Sequence, residues 1–306
     1  MQRLSELSSR AVLEASRSAA YPKWSSLCLL YRLGLPTLDG VLVTPDRRSE
    51  LASAIRSVSA MGPRGRVLIR SDGGHESAKY LHGGTALDPA SALALGDSCL
   101  LQRRAVIVLE EVDRLSNVVA AAIRVDRASR ESSLVSFTVE ALGSGFDVAD
   151  LSRGGIAPAM RAVGATGRIG DYSKPRASDY RVEWAVDPRS IDERFHRRLA
   201  FLGRLVIPVL DPSFHNVDSW AAAEWLSSRG YLGLWRPLER ECMVRALPAL
   251  QDAMCLVLAE YRYRWRCLSL SYSRFDGGRV AFWDVVDGER KFSAGRNRLS
   301  RVYGRD

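Results

Sequence analysis

Arg66-Val67-Leu68-Ile69-Arg70-Ser71-Asp72 is the stretch on which the reading of this chain turns. The consecutive apolar residues Val67, Leu68 and Ile69 predict a strand covered on both faces. The polar Arg70-Ser71-Asp72 ends it, and the glycines beyond it, at 73, 74, 83 and 84, predict a loop whose backbone N–H groups can approach a ligand closely. A strand that carries a guanidinium to the mouth of such a loop suits oxyanions, because the guanidinium offers a bidentate fork to phosphate oxygens.

Upstream, Leu4, Leu7, Val12 and Leu13 have helical spacing within residues 1–20. Leu27, Leu30 and Leu33 predict a second helix, stopped at Gly34. LPTLDGVLVTPD at 35–46 reads as a turn and short strand, and 50–58 as a helix. Downstream, AVIVLEE at 105–111 reads as a strand with acidic residues at its exit. VVAAAIRVD at 118–126 and LVSFTVEALG at 134–143 predict a β-hairpin. Residues 164–179, rich in Gly, Ser and charge, read as a loop or a seam between domains. Helical patterns follow at 191–210, 217–230 and 238–262, and the last runs into strand-like YRYRWRCLSLSYSRF at 261–275. The turn Asp276-Gly277-Gly278 then predicts an antiparallel hairpin with RVAFWDVV at 279–286.

The 306 residues are 46% apolar and 26% charged, an ordinary globular balance with enough material for one large or two medium domains. A surplus of 44 Lys and Arg over 35 Asp and Glu gives a net charge of +9, spread along the chain, which favours a polyanionic ligand. Arg-rich composition has a bland origin as well, so nucleic acid is not expected as the partner. The cysteines, at 28, 99, 242, 255 and 267, have no metal-ligand or disulfide spacing and read as buried thiols. No signal-peptide core and no charge-free apolar span of membrane length occurs, so a cytoplasmic protein without membrane partners is expected. His75 and His82 flank the predicted loop, and His196 and His215 lie far from it; none has zinc spacing. GxSxG, HExxH and Walker patterns are absent.

In their order and rough spacing, four segments resemble the N-terminal ATP-binding domain of phosphoenolpyruvate synthase and pyruvate phosphate dikinase, an ATP-grasp core that is also similar to rifampin phosphotransferase. Pro22-Lys23-Trp24-Ser25-Ser26-Leu27 with LGLPTLDGVLVT resembles the family's lysine-bearing helix and the turn and strand after it. Val67–Asp72, Glu76 and Gly83-Gly84 resemble its Arg-Ser-Ser strand end and flexible phosphate-covering loop. Ile107–Val112 resembles the linker strand along adenine and ribose. Glu140-Ala141-Leu142-Gly143-Ser144-Gly145-Phe146, followed by LSRGGIAPAM, resembles its Glu-x-x-Gly-Leu-Gly stretch, with Glu140, Gly143, Gly145, Gly154 or Gly155, and Pro158 in register.

The resemblance implies an α+β fold: two α/β lobes with mostly antiparallel sheets enclosing a nucleotide cleft. The lobes are expected at 1–104 and 105–306, the second with a helical insertion at about 165–250. It implies ATP with Mg²⁺, a small-molecule acceptor, and either phosphoryl transfer or carboxylate ligation. Lys23 and Arg70 are the implied catalytic phosphate contacts. Ser71, Gly83, Gly84, Glu110, Glu111 and Glu140 are the other implied nucleotide-binding residues, with Glu110 or Glu111 on the ribose hydroxyls.

The family holds Mg²⁺ with an Asp-x-Glu on the first strand of the last hairpin and an acid or amide on the second, because this hard ion wants oxygen ligands. Here Ser269 and Ser271 take the places of the acidic pair, leaving Asp284 opposite, with Glu260 as a displaced ligand or Glu140 as its companion on magnesium. A degenerate relative that binds nucleotide or another anion as a sensor or partner subunit is therefore the alternative. A protein partner or homo-oligomer stays open. Arg262, Arg264 and Arg266 alternate with Tyr261, Tyr263 and Trp265, which reads as a solvated strand face over aromatic packing or as an anion site. The 306 residues match no phosphohistidine or phosphoenolpyruvate domain, so a stand-alone ATP-grasp activity is expected.

Overall fold

The computed structural model describes residues 3–62, 64–73, 83–111, 117–127, 134–143, 158, 160–164, 167–168, 180–184, 240–261 and 267–287. Packing divides the chain into two units, Met1–Arg114 with Val280–Val285, and Leu115–Arg279 with Val286–Asp306. The architecture is α+β, built on two antiparallel sheets.

In the first unit, strands β1 (Gly40–Val43), β2 (Val67–Asp72), β3 (Gly83–Leu87) and β4 (Ala105–Glu110) form a sheet in the order β1–β4–β2–β3. Alternation along the strands sends Val41, Val43, Val67, Ile69, Val106 and Val108 to one face. There they pack with Leu51, Ile55 and Val58 of helix α3 (Leu51–Ser59) and Ala92, Cys99 and Leu100 of α4 (Pro89–Leu101). Burying each such aliphatic side chain contributes about 1.5–3 kcal/mol. Asp88 caps α4 by accepting from Ala90 N and Ser91 N, both at 3.0 Å. Helix α4 and strand β3 carry weak signals in the sequence, because α4 has leucines on its exposed side too, Leu93 and Leu101, and β3 begins with two glycines.

Helix α1 spans Ser9–Ser16, inside the expected 1–20 segment, and α2 spans Pro22–Arg32. The glycine stop of α2 is a Schellman motif: Gly34 has φ 72°, Leu35 N donates to Leu30 O at 3.0 Å and Gly34 N to Tyr31 O at 3.0 Å. The start of α2 has no cap of its own, because the Tyr21 side chain makes no capping bond. Pro22 removes one of the four N-terminal donors, and Ser25 N donates to Tyr21 O at 2.8 Å. The donors of Lys23 and Trp24 are left to a partner from elsewhere in the chain.

In the second unit, β5 (Asn117–Arg127), β6 (Leu134–Leu142), β7 (Met160–Gly164), β9 (Tyr180–Trp184) and β10 (Cys267–Phe275) form the second sheet, with the short β8 (Gly167–Arg168) against β6. The order is β11–β10–β5–β6–β7–β9, where β11 is Val280–Asp287. The predicted hairpins β5–β6 and β10–β11 are both present, and Phe275 N donates to Arg279 O at 2.8 Å beside the DGG turn.

Helix α5 (Arg240–Tyr261) is, among the described residues, the one helix long and apolar enough by length and composition to cross a membrane. Its buried residues Met243, Leu247, Leu250, Met254 and Val257 fall at spacings of four and three, the stripe of a helix covering a core. It packs on β5, and the Tyr180 hydroxyl donates to Gln251 Oε1. The expected helices at 191–210 and 217–230 lie outside the described residues, as does most of the expected insertion at 165–250.

Candidate functional site

The end of β2 is where the first unit gathers its polar groups. Five of the six residues of β2 are buried and Arg70 alone is half-buried. Its Nη1 donates to Trp283 O at 3.2 Å and its Nη2 to Asp284 Oδ2 at 3.3 Å, so the guanidinium is held by a carbonyl and a carboxylate of β11. Phe282 N donates to Pro36 O at 2.8 Å, which ties this part of β11 to the loop after α2.

Asp72 supplies what the start of α2 lacks. Its side chain is buried, with the residue 1% exposed, and accepts from Lys23 N at 3.2 Å, Trp24 N at 2.8 Å and Gly73 N at 2.9 Å. Burial pushes its carboxyl above the usual carboxylate range, against the pull of those backbone donors and of the Lys23 charge. Lys23 Nζ donates to Ser71 O at 2.8 Å, while Ser71 itself is buried. A lysine in the first turn opposes the helix dipole, so the Ser71 carbonyl and the Asp72 carboxylate account for its placement. Asp72 was not singled out from sequence; an acid at the exit of an apolar strand was the available signal.

Gly83 and Gly84, expected in a loop, begin β3 and pair with Arg70 and Ile69. Glu110 Oε1 accepts from Asp39 N at 3.1 Å, joining the ends of β4 and β1. Glu111 differs: its Oε1 is buried and takes no hydrogen bond among the described residues. Glu76, His75 and His82 lie outside the described residues, as do Gly145, Gly154, Gly155, His196, His215 and the alternating Arg262, Arg264 and Arg266.

In the second unit, directly paired residues share a face of the sheet. The register aligns Ser269 with Arg124 and Thr138, and Ser271 with Ala122, Glu140 and Arg161. Leu268, Leu270, Ile123, Val125, Phe137, Val139 and Ala162 fall on the opposite, apolar face, with Tyr180 and its α5 contact. The polar face is thus a charged and hydroxylated surface. Glu140 Oε2 stands 3.6 Å from Arg124 Nη2 and Oε1 stands 3.9 Å from Arg161 Nε. Arg124 and Arg161 were not picked out from sequence, though the period-2 alternation of Ile123, Arg124, Val125 and Asp126 marked such a face.

The carboxylates implied for Mg²⁺ do not suit that ion. Mg²⁺ needs several oxygens in near-octahedral array. Asp284 lies against the Arg70 guanidinium, Glu140 is shared by two guanidiniums, and Glu260 is an exposed residue of α5. Among the described residues, no three His, Cys, Asp or Glu side chains gather as a metal site would require.

No protein-family model and no curated protein matches the chain. Among solved structures, it is similar to D-cycloserine synthetase DcsG at 14% identity over 88% of this chain and 62% of that one, with a TM-score of 0.35. It is also similar to the macrocyclase MdnC bound with precursor peptide MdnA from Microcystis aeruginosa MRC, at 10% identity over 90% of this chain and 53% of that one, with a TM-score of 0.30. The chain therefore spans less than two thirds of either.

Proposed function

We propose that this chain binds ATP through an ATP-grasp-type core and uses it on a small-molecule acceptor, as a carboxylate ligase or a phosphotransferase. The observation that carries the reading is Arg70: the sequence resemblance assigns it to phosphate, and it is the half-buried residue of an otherwise buried strand, presented beside Asp284. Its two contacts, at 3.2 and 3.3 Å, are longer than the 2.7–2.9 Å typical of tight charge-assisted bonds, so a phosphate competes well for this guanidinium. Lys23 adds a point charge from the start of α2. The partnerless oxygen of Glu111 suits a ribose hydroxyl, whereas Glu110 Oε1 is engaged with Asp39 N. Ser71, Gly83 and Gly84 serve the phosphates through backbone groups in this reading, and Glu140 orients the guanidiniums around it.

A second reading, binding without turnover as a sensor or partner subunit, is favoured by one observation: Ser269 and Ser271 present hydroxyls on β10 where a metal-dependent transfer site calls for carboxylates.

Calorimetric titration of ATP into the full chain tests the proposal. Micromolar binding that Arg70→Ala weakens by about tenfold or more supports it, a loss of at least 1.4 kcal/mol. Absence of ATP binding both with and without Mg²⁺ defeats both readings. Release of ADP or AMP with a candidate acceptor separates the enzyme from the binder.

A further inference from the structure

Asp284 is the residue beside Arg70 whose part the nucleotide reading leaves open. The resemblance implies a magnesium ligand there, yet its carboxylate faces a guanidinium, with Oδ2 3.3 Å from Arg70 Nη2. Both side chains are largely covered, 12% exposed for Asp284 and 20% for Arg70, so solvent and salt screen the pair less than they screen a surface pair. The other cation at the end of β2 is matched in a similar way. Lys23 Nζ donates to Ser71 O at 2.8 Å, and its charge acts on the buried Asp72 carboxyl. Each cation that the reading assigns to phosphate is therefore built with an acid of its own.

The two members of the Arg70–Asp284 pair differ in freedom. Backbone groups of β11 are tied down on either side of Asp284: Phe282 N donates to Pro36 O at 2.8 Å, and Val285 O accepts from Ser26 Oγ at 3.1 Å. The short aspartate side chain has little room to move from so fixed a strand. Arg70 has a long stem with many rotamers, and its contacts to Trp283 O and Asp284 Oδ2, at 3.2 and 3.3 Å, are long for charge-assisted bonds. The acid is the fixed member and the guanidinium is the one that swings. An anion that arrives at Arg70 must draw the guanidinium off Asp284 or lie beside that carboxylate. Either outcome lowers affinity, because like charges repel strongly where little water separates them.

We propose that Asp284 is a positioning residue that competes with the ligand for Arg70, holding the guanidinium in place while limiting how tightly phosphate oxygens bind. The proposal deepens the nucleotide reading and rests on it for the identity of the anion. The polyphosphate of a nucleotide and a free phosphate chain meet the same competitor. Removing the charge of Asp284 therefore strengthens anion binding, opposite to the loss that follows when a metal ligand is removed.

The experiment titrates ATP and inorganic tripolyphosphate into the full chain, each in EDTA and in excess Mg²⁺, with wild type, Asp284→Asn, Arg70→Gln and the double variant compared. Asparagine keeps a carbonyl oxygen for the Arg70 hydrogen bond and removes only the charge. Far-UV circular dichroism and thermal melting check that each variant is folded; if Asp284→Asn is not, Asp284→Ser takes its place. In EDTA, Asp284→Asn is expected to bind both ligands about tenfold more tightly than wild type, with a steeper loss as salt is raised. The gain disappears in the double variant, which binds no better than Arg70→Gln alone.

EDTA binding that is unchanged or weaker in Asp284→Asn, or a gain that survives in the double variant, overturns the competitor; wild-type binding of ATP in the same titrations leaves the nucleotide reading standing. ATP binding that needs Mg²⁺ and is lost in Asp284→Asn assigns the residue to the metal and also overturns it. Tighter tripolyphosphate binding by Asp284→Asn, with ATP bound by neither protein, upholds the competitor and removes the nucleotide. Binding of neither ligand by either protein overturns both.

Discussion

Asp72→Ala is the substitution that most directly tests how the first unit is held together. The carboxylate accepts from Lys23 N at 3.2 Å, Trp24 N at 2.8 Å and Gly73 N at 2.9 Å, and the first two are donors that α2 cannot satisfy alone. Loss of an ordinary N-terminal cap costs about 1 kcal/mol and up to about 2, and leaving a buried N–H such as that of Trp24 unpartnered costs about 1–3 kcal/mol. Relief of the buried charge offsets part of this, because burial pushes the Asp72 carboxyl up. The expected net loss is about 2–3 kcal/mol at neutral pH.

Asp72→Asn keeps one acceptor and turns an NH₂ toward Trp24 N, so about half of that loss is expected. The sign with pH is definite. An acid whose folded-state pKa is raised contributes stability that is complete below its unfolded value and is lost as pH rises through its folded value. The wild-type advantage over Asp72→Asn therefore widens as pH falls toward the usual carboxylate range. Urea unfolding followed by far-UV circular dichroism at several pH values reads both effects. A loss below about 0.5 kcal/mol for Asp72→Ala, the range of a neutral surface change, refutes the account of α2 capping.

Arg103 is the one non-glycine residue with positive φ among those described, 57°, at the end of α4, where Arg104 N reaches Cys99 O at 3.0 Å. Arg103→Gly should raise stability by up to about 1 kcal/mol in the same unfolding assay. In Gly40→Ala, the new methyl overlaps the Val108 carbonyl oxygen on the neighbouring strand, so a loss of at least about 2 kcal/mol is expected, read as a lower urea midpoint. In Gly164→Ala, a Cβ would stand 3.0 Å from Tyr180 Cε1 and 3.5 Å from Phe137 Cβ, so the ring must move and a loss of about 1–2 kcal/mol is expected in thermal melts. Burial pushes the thiols of Cys28 and Cys255 up to about 12, with Asp252 adding to the effect at Cys255. Neither should react with iodoacetamide in the native protein at pH 8, and mass spectrometry of labelled peptides checks this.

Much of the fold is legible in local pattern. The run Val67-Leu68-Ile69 marks a strand buried on both sides, and it is one; the alternation of Ile123, Arg124 and Val125 marks a strand with a polar face, and β5 has one. Gly34 marks the stop of α2 because few other residues take its left-handed conformation without strain. By contrast, α4 carries Leu93 and Leu101 on its exposed side as well as Ala92, Cys99 and Leu100 on its buried one, so its apolar pattern offers little 3.6-residue contrast to read. The first residues of β3 are glycines, which speak for loops until a neighbouring strand supplies their hydrogen bonds.

The candidate site divides in the same way. Residue chemistry by itself determined that Arg70 ends an apolar strand, that Ser269, Ser271 and Ser273 alternate with larger residues along one strand, and that the chain carries excess positive charge. Tertiary structure decided which carboxylate meets which cation: Asp284, 214 positions from Arg70, faces it, and Asp72 is spent on the start of α2, 48 and 49 positions away. Strand register decided that Ser269 stands across from Arg124 and that Glu140 lies between two guanidiniums. Local sequence carries the periodicity of each element because side-chain direction repeats within it. The partners of a charge are set by how separate elements pair, and nothing in the neighbouring residues encodes that.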